Sequence, residues 1–171
     1  MILLPQDRLE ALARDQSFLV QMERVRDRFQ RQVQEPGHAG PSAFAENEVI
    51  AYLSMEFGLH ESLPIFAGGL GILAGDHLKA SSCLDLPLAG VGLLFHKGYF
   101  RQFLDDKGWQ QETYSSVDLG QLPLTRTRDQ AHRAIEISVP GPYGPMRAAV
   151  WRMHVGRIPY FLLDTDLRDN P

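Results

Sequence analysis

Phe66-Ala67-Gly68-Gly69-Leu70-Gly71-Ile72-Leu73-Ala74-Gly75-Asp76-His77-Leu78-Lys79-Ala80 decides the fold of this chain. Glycines crowd the front of the stretch, and Leu70, Leu73, Ala74, Leu78 and Ser81 then follow helical spacing. Ahead of it, Val49 to Leu53 is a short apolar run without alternation, which reads as a strand buried on both faces. Behind it, Leu88 to Phe95 is a second apolar strand. Strand, glycine turn, helix and strand in that order make the βαβ unit of a parallel sheet, whose crossover is right-handed. A single unit does not cover both faces of such a sheet, so an unfinished sheet is expected.

Upstream, residues 5–34 read as helix. Pro5 suits a first helical turn, and Leu9 and Leu12 begin an apolar stripe. Asp15 and Ser17 are candidate caps for a second helix, in which Phe18, Met22, Val25, Phe29 and Val33 recur at helical spacing and face a core. Glu35-Pro36-Gly37-His38-Ala39-Gly40-Pro41-Ser42 stops that helix and reads as a linker. Downstream, Tyr99 to Leu104 and Trp109 to Tyr114 flank Asp105-Asp106-Lys107-Gly108, a hairpin signal. Arg133 to Val139 alternates, with Ile135, Ile137 and Val139 on one face. Gly141-Pro142-Tyr143-Gly144-Pro145 makes a turn, Met146 to Val155 returns, and Ile158 to Leu163 is a further apolar strand.

Composition narrows the function classes. The chain has 171 residues, 44% apolar and 22% charged, as in an ordinary globular domain. A net charge of -4 argues against a nucleic-acid binder, which needs a basic face. No apolar run approaches the ~20 residues of a membrane span. The start, Met-Ile-Leu-Leu-Pro-Gln-Asp-Arg, lacks the plan of a signal peptide, so a cytoplasmic protein is expected. Cys83, the single cysteine, excludes an internal disulfide and offers no thiolate cluster; its small neighbours suggest that it fills space.

Gly68-Gly69-Leu70-Gly71 is the strongest chemical feature. Glycines allow close approach of a ligand and positive φ, and the helix behind presents free N–H groups and a positive dipole end. The run is neither a dinucleotide fingerprint nor a Walker loop, and spacing alone leaves a phosphate cradle and a tight strand-to-helix turn both open. Glu56, His60 and Glu61 lie in the loop before it, where α/β sheets place ligands. They either face a ligand, bond loop backbone or face water. His77 has no second histidine at metal spacing, so no metal site is expected there. His96, Lys97 and Arg101 mix with Tyr99, Phe100 and Trp109; that suits a sugar site and an exposed hairpin equally.

Longer blocks carry a resemblance. Ala51-Tyr52-Leu53-Ser54-Met55-Glu56-Phe57-Gly58-Leu59-His60-Glu61-Ser62-Leu63-Pro64-Ile65 resembles the opening strand and loop of α-glucan phosphorylases of the short bacterial and archaeal type. Gly68 to Lys79, Leu86 to Leu93, Gly98 to Gln102, Gly108 to Glu112 and the blocks from Val150 to Asp166 continue it, in order. The resemblance implies an α/β fold. It would be the N-terminal part of a Rossmann-like domain of glycosyltransferase-B type, with a helical segment and linker at 1–47 and the incomplete domain at 48–171. It implies phosphorolysis of α-1,4-glucan to α-glucose 1-phosphate with pyridoxal phosphate, on α-1,4-glucan and inorganic phosphate as substrates. Gly68 and Gly69 would face the cofactor; Gly69, Leu70, Gly71, Glu56, His60 and Glu61 would face substrate. The cofactor lysine belongs to the family's C-terminal domain, and Lys79, Lys97 and Lys107 match no such motif. No catalytic residue is therefore assigned, and this chain alone is expected to be inactive, with a C-terminal domain as partner and homo-oligomerisation left to the complete protein. Two other classes are carried: a non-catalytic carbohydrate- or phosphate-binding module, and a scaffold pairing with a C-terminal partner chain.

Overall fold

A computed structural model of the chain describes residues 4–34 and 48–170. Two helices come first, α1 (Gln6–Arg14) and α2 (Gln16–Gln34). Pro5 precedes α1, and its carbonyl accepts from the Arg8 and Leu9 amides. Between the helices, the Asp15 carboxylate accepts from the Ser17 amide at 2.9 Å and the Phe18 amide at 3.2 Å, capping α2 as its sequence suggests. The Glu35–Ser42 linker lies outside the described residues.

The βαβ unit is present. Strand β1 (Ile50–Leu53) leads through a loop to α3 (Gly69–Cys83) and then to β2 (Leu88–Leu93), and the strands pair in parallel, Ile50 against Leu88 through Leu53 against Val91. A separate antiparallel hairpin follows, β3 (Arg101–Leu104) and β4 (Gln110–Thr113). Its turn closes through Gly108, whose φ of 79° is the left-handed conformation glycine adopts without a Cβ penalty. After a short β5 (Thr125–Arg126), β6 (Glu136–Gly141) turns through Pro142-Tyr143 into the long β7 (Gly144–Val155), which returns as β8 (Ile158–Asp164).

These strands make one mixed sheet in the order β1-β2-β8-β7-β5, with β6 beside the first half of β7. β8 pairs in parallel with β2, Gly90 against Tyr160 through Leu93 against Leu163, and antiparallel with β7. The architecture is α/β, and the run β1-β2-β8 is its parallel part. Phe57, Leu78, Ile158, Tyr160 and Leu162 form the centre of the core, none more than 2% exposed. Two strand glycines make room for the aromatic pair there: a Cβ on Gly92 would stand 2.8 Å from the Tyr160 hydroxyl and 3.0 Å from the Phe57 ring. Burial pushes the Tyr160 phenol above its ordinary range.

Several expectations are corrected. β1 lies at the edge of the sheet and is not buried on both faces: none of its four residues is buried, and Leu53 is 71% exposed, because among the described residues no helix packs across its face. On α3 the buried face holds Gly71, Ala74, Gly75, Leu78, Ser81 and Ser82, while Leu70 and Leu73 point outward. The cause is close approach. The Gly58 amide donates to the Gly71 carbonyl at 2.6 Å, and a Cβ on Gly75 would run into the Gly58 carbonyl. Only a small-residue face fits so near. The α2 stripe of Phe18, Met22, Val25 and Phe29 is exposed, and among the described residues α1 and α2 pack on each other alone. Ile137 and Val139 of β6 are likewise exposed, and Cys83 sits on the surface rather than filling space.

The far end of α3 is tied to the β7–β8 turn. Gly156 there has φ 59°, the Arg157 amide donates to Ser82 Oγ at 2.9 Å, and the Arg157 guanidinium donates to the Ser82 carbonyl at 3.0 Å. A cation at a helix C-terminus suits the dipole.

Candidate functional site

The loop from β1 to α3 is organised by two short-range devices. Ser54 Oγ donates to the Glu56 carbonyl at 2.8 Å, turning the chain as it leaves the strand. The Glu56 side chain then reaches forward, and its Oε2 accepts from the Ala67 amide at 3.1 Å. The same oxygen would lie 3.2 Å from a Cβ on Gly71. Glu56 therefore fixes the entry to the glycine turn, and the structure brings Glu56 and Gly71 together.

The four turn residues divide into two kinds. Gly68 and Gly69 are exposed, with nothing within 4 Å of where a Cβ would stand. Gly71 is buried, and a Cβ there would meet Phe66 Cβ at 2.6 Å. The expectation of positive φ is corrected: Gly68 is extended at φ -157°, and no residue of the turn is left-handed. Their use is space, open at Gly68–Gly69 for an approaching group and filled at Gly71 by the loop. No side chain caps the helix at Gly68, and the first bond back is from the Ile72 amide to the Gly68 carbonyl. The amides of Gly69, Leu70 and Gly71 are the first-turn donors that a helix leaves unspent. They sit past the C-terminal end of β1, at the positive end of α3.

His60 and Glu61 are placed apart from this turn. His60 Nδ1 lies 2.9 Å from Ser62 Oγ and accepts from the Ser62 amide at 3.2 Å, a local turn of its own. Glu61 is exposed and lines a cavity of about 680 Å³ with Tyr99, Arg101 and Asp118. A smaller cavity of about 160 Å³ adjoins the turn, lined by Glu56, Phe66, Ala67, Lys97 and Tyr99 among others. Lys97 is thus near the turn, which sequence spacing did not reveal. His77 is exposed and lies against the Tyr52 ring at 4.6 Å. Among the described residues, no group of three or more His, Cys, Asp or Glu side chains is placed to hold a metal ion.

A second polar cluster escaped the sequence. Asp164, 5% exposed, ends β8 and accepts from Trp151 Nε1 at 3.2 Å and the Asp166 amide at 3.1 Å. His96 Nε2 lies 2.9 Å from Asp164 Oδ1, the oxygen that also accepts from the Asp166 amide. The only sequence signal was an acid directly after an apolar strand, which reads as a strand exit.

Comparison with known proteins bears on this geometry. Residues 1–63 match the family described as "Protein of unknown function (DUF3417)". The chain is 45% identical over 170 residues to a glycogen phosphorylase of Mycobacterium tuberculosis, covering 95% of this chain and 20% of that protein. It is 36% identical over 167 residues to a maltodextrin phosphorylase of Thermococcus litoralis, covering 97% of this chain and 20% of that protein. A glycogen phosphorylase of Aquifex aeolicus is 38% identical over 121 residues, 71% of this chain and 18% of the relative. The chain thus spans 20% or less of the length of these curated relatives. Similarity along nearly all of its residues makes the chain a member of the α-glucan phosphorylase family, corresponding to that family's N-terminal portion.

Proposed function

We propose that the chain forms one wall of the active site of an α-glucan phosphorylase, which cleaves α-1,4-glucan with inorganic phosphate and releases α-glucose 1-phosphate. The observation that carries this reading is the uncapped Gly68-Gly69-Leu70-Gly71 turn, open to approach and held by Glu56 beyond a parallel sheet edge. Its first-turn amides suit an anion, and phosphate is the attacking group in phosphorolysis. Gly68 and Gly69, the two positions without neighbours, leave backbone room for a cofactor phosphate. Gly69, Leu70 and Gly71 donate toward the substrate phosphate and sugar, and Glu56 holds them in place. His60 and Glu61 stand further out, where a glucan chain would enter.

The donor set fits a phosphate group and supplies no covalent anchor. Lys79 pairs with Asp76 at 3.7 Å on α3, Lys107 lies in the hairpin turn, and Lys97 matches no attachment motif. Pyridoxal phosphate, when bound, would supply a second phosphate beside the substrate's, with its lysine on a C-terminal domain. In this reading a Rossmann-like domain of glycosyltransferase-B type begins at residue 48, and residues 1–47 are the N-terminal helical segment and linker ahead of it. The exposed apolar edge at Leu53 and Met55 supports cover by that further polypeptide. The reaction would take place in the cytoplasm. No helix among the described residues is long and apolar enough to cross a membrane.

The test is phosphate-dependent release of glucose 1-phosphate from maltoheptaose by the complete polypeptide that contains these residues, purified with pyridoxal phosphate. Gly69→Val, which closes the open approach, is expected to lower turnover about a hundredfold while the protein stays folded. Absence of phosphorolysis in the complete polypeptide, or full activity of Gly69→Val, overturns the proposal. The 171-residue chain alone is expected to show no turnover.

A further inference from the structure

The larger cavity lies outside the glycine turn, and of its lining only Glu61 enters the reading above. It sits between the loop carrying Glu61 and Ser62, the start of the hairpin at Gly98, Tyr99 and Arg101, and the segment from Ser115 to Leu122. Its volume of about 680 Å³ falls in the range of small-molecule sites, ~300–1,000 Å³. The walls are fixed by backbone bonds. The Gly98 amide donates to the Ser115 carbonyl at 3.3 Å and the Val117 amide to the His96 carbonyl at 2.8 Å. His96 is itself held by buried Asp164 at 2.9 Å, so the cluster past β8 anchors this cavity.

Three features of the lining converge on one ligand chemistry. Tyr99 offers a broad apolar face, 65% exposed and backed by the Phe100 ring at 4.6 Å. Ser62, Ser115, Ser116 and Gln121 add hydroxyl and amide groups around it. Charge is nearly balanced, with Arg101 against Glu61 and Asp118, so the cavity carries no net pull on an anion. Among the described residues, the Arg101 and Glu61 side chains have no ion-pair partner and the Ser115 and Ser116 hydroxyls no hydrogen-bond partner. A flat ring face ringed by two-way hydrogen-bonding groups, at near-neutral charge, matches a polyhydroxylated neutral ring. The smaller cavity shares Pro64, Phe66, Gly98 and Tyr99 with the larger one, which links it to Glu56 and the glycine turn.

We infer that this cavity is a carbohydrate-binding subsite. Tyr99 stacks against a sugar ring, Arg101 and Glu61 bond its hydroxyls, and the glycine turn lies at the inner end of the path. That the carbohydrate is an α-glucan rests on the proposed function, whereas binding of a neutral oligosaccharide does not.

Hydrogen–deuterium exchange on the complete polypeptide, without phosphate, reads the subsite locally. Maltoheptaose is the probe, with inorganic phosphate and cellohexaose as comparisons. The expected result is protection of residues 98–101 and 115–122 by maltoheptaose, with neither comparison ligand protecting them. Tyr99→Ala should weaken that protection about tenfold in ligand concentration, the size of one aromatic contact. Arg101→Gln provides a second variant that preserves side-chain bulk, and unchanged exchange in β7 and β8 certifies the fold of both. No protection of the two segments at saturating maltoheptaose overturns the subsite, as does protection by phosphate alone. Protection by cellohexaose as strong as by maltoheptaose overturns the α-glucan assignment. Protection without phosphorolysis refutes the proposed function and leaves the subsite standing; phosphorolysis without protection does the reverse.

Discussion

Replacing Gly75 with alanine tests the central packing claim. A Cβ at this position would stand 2.6 Å from the Gly58 carbonyl carbon and 3.2 Å from its amide nitrogen, and closer still to its oxygen. All three atoms are backbone, so no side chain can swing aside. Relief requires α3 and the 54–59 loop to separate by roughly an ångström, an overpacking strain of about 1–3 kcal/mol. The separation also stretches the Gly58–Gly71 hydrogen bond, at about 1 kcal/mol. Against this, alanine is better than glycine inside a helix by about 1 kcal/mol. The net expectation is destabilisation of about 1–3 kcal/mol, lowering Tm by ~2–4 °C per kcal/mol. Gly69→Ala is the control: a smaller gain in helix preference, at the first residue of α3 and with nothing within 4 Å, so stability should hold or rise slightly. Urea unfolding followed by circular dichroism measures both. If Gly75→Ala is as stable as the parent, or Gly69→Ala is the more damaging change, the close-approach account of α3 is wrong.

Gly156→Ala should cost about 1–2 kcal/mol in the same assay, because φ of 59° strains alanine and its Cβ would run into Ser82 Oγ. Asp164→Ala should cost about 1–3 kcal/mol, since Trp151 Nε1 loses its acceptor in a half-buried place; retention of parental stability would remove the anchor assigned to it. Asp105 is held below the usual carboxylate range, first by the Trp109 amide; desolvation opposes this as the second-largest effect, and the Lys107 amide and Gln111 add smaller lowering contributions. A depressed folded value means that its contribution is present above the unfolded value of about 3.9 and fades as pH falls through the folded one. Protection of the Lys107 and Trp109 amides, which donate to this carboxylate, should therefore fall relative to their intrinsic exchange only below about pH 4, and protection unchanged down to pH 2 would contradict it. Tyr160 is raised by burial, so its contribution is complete below an ordinary tyrosine's value of about 10 and is lost as pH rises beyond it. Alkaline titration followed by tyrosinate absorbance should show that one phenol ionises only with unfolding.

Local pattern carried much of the fold. The βαβ unit, the Asp105–Gly108 hairpin and the Gly141–Pro145 turn are written in short-range chemistry, and each forms where its residues indicate. Asp15 as a cap is legible for the same reason. What the sequence hides is set by partners far along the chain. The apolar run at β1 looks doubly buried because apolarity reports that a surface is to be covered, without saying by what. Leu70 and Leu73 fit helical spacing as well as Gly71 and Gly75 do; only the loop backbone at Gly58 selects the glycine face. The same limit applies to the site. Gly68–Gly71 announces itself, whereas the contact from Glu56 to Ala67 spans a loop whose path no periodicity fixes. Lys97 and Tyr99 reach the neighbourhood of the turn through β2, and sequence distance conceals that.

The position of β8 has a bearing on synthesis. This strand lies between β2 and β7, with residues 94–157 intervening since β2 was made. Until Ile158–Asp164 leave the ribosome, the parallel β1–β2 pair and the β6–β7 hairpin have no common strand. Closing so long a segment costs entropy that only the final pairing returns. From the completion of β2 until β8 emerges, the nascent chain therefore carries the β1–β2 pair with a bare apolar edge, a state that chaperones recognise. Joining of the β1–β2 pair to β7 waits for β8, so slowing translation along 94–157 lengthens that exposure, whereas a pause after Asp164 gives β8 time to pair with both neighbours.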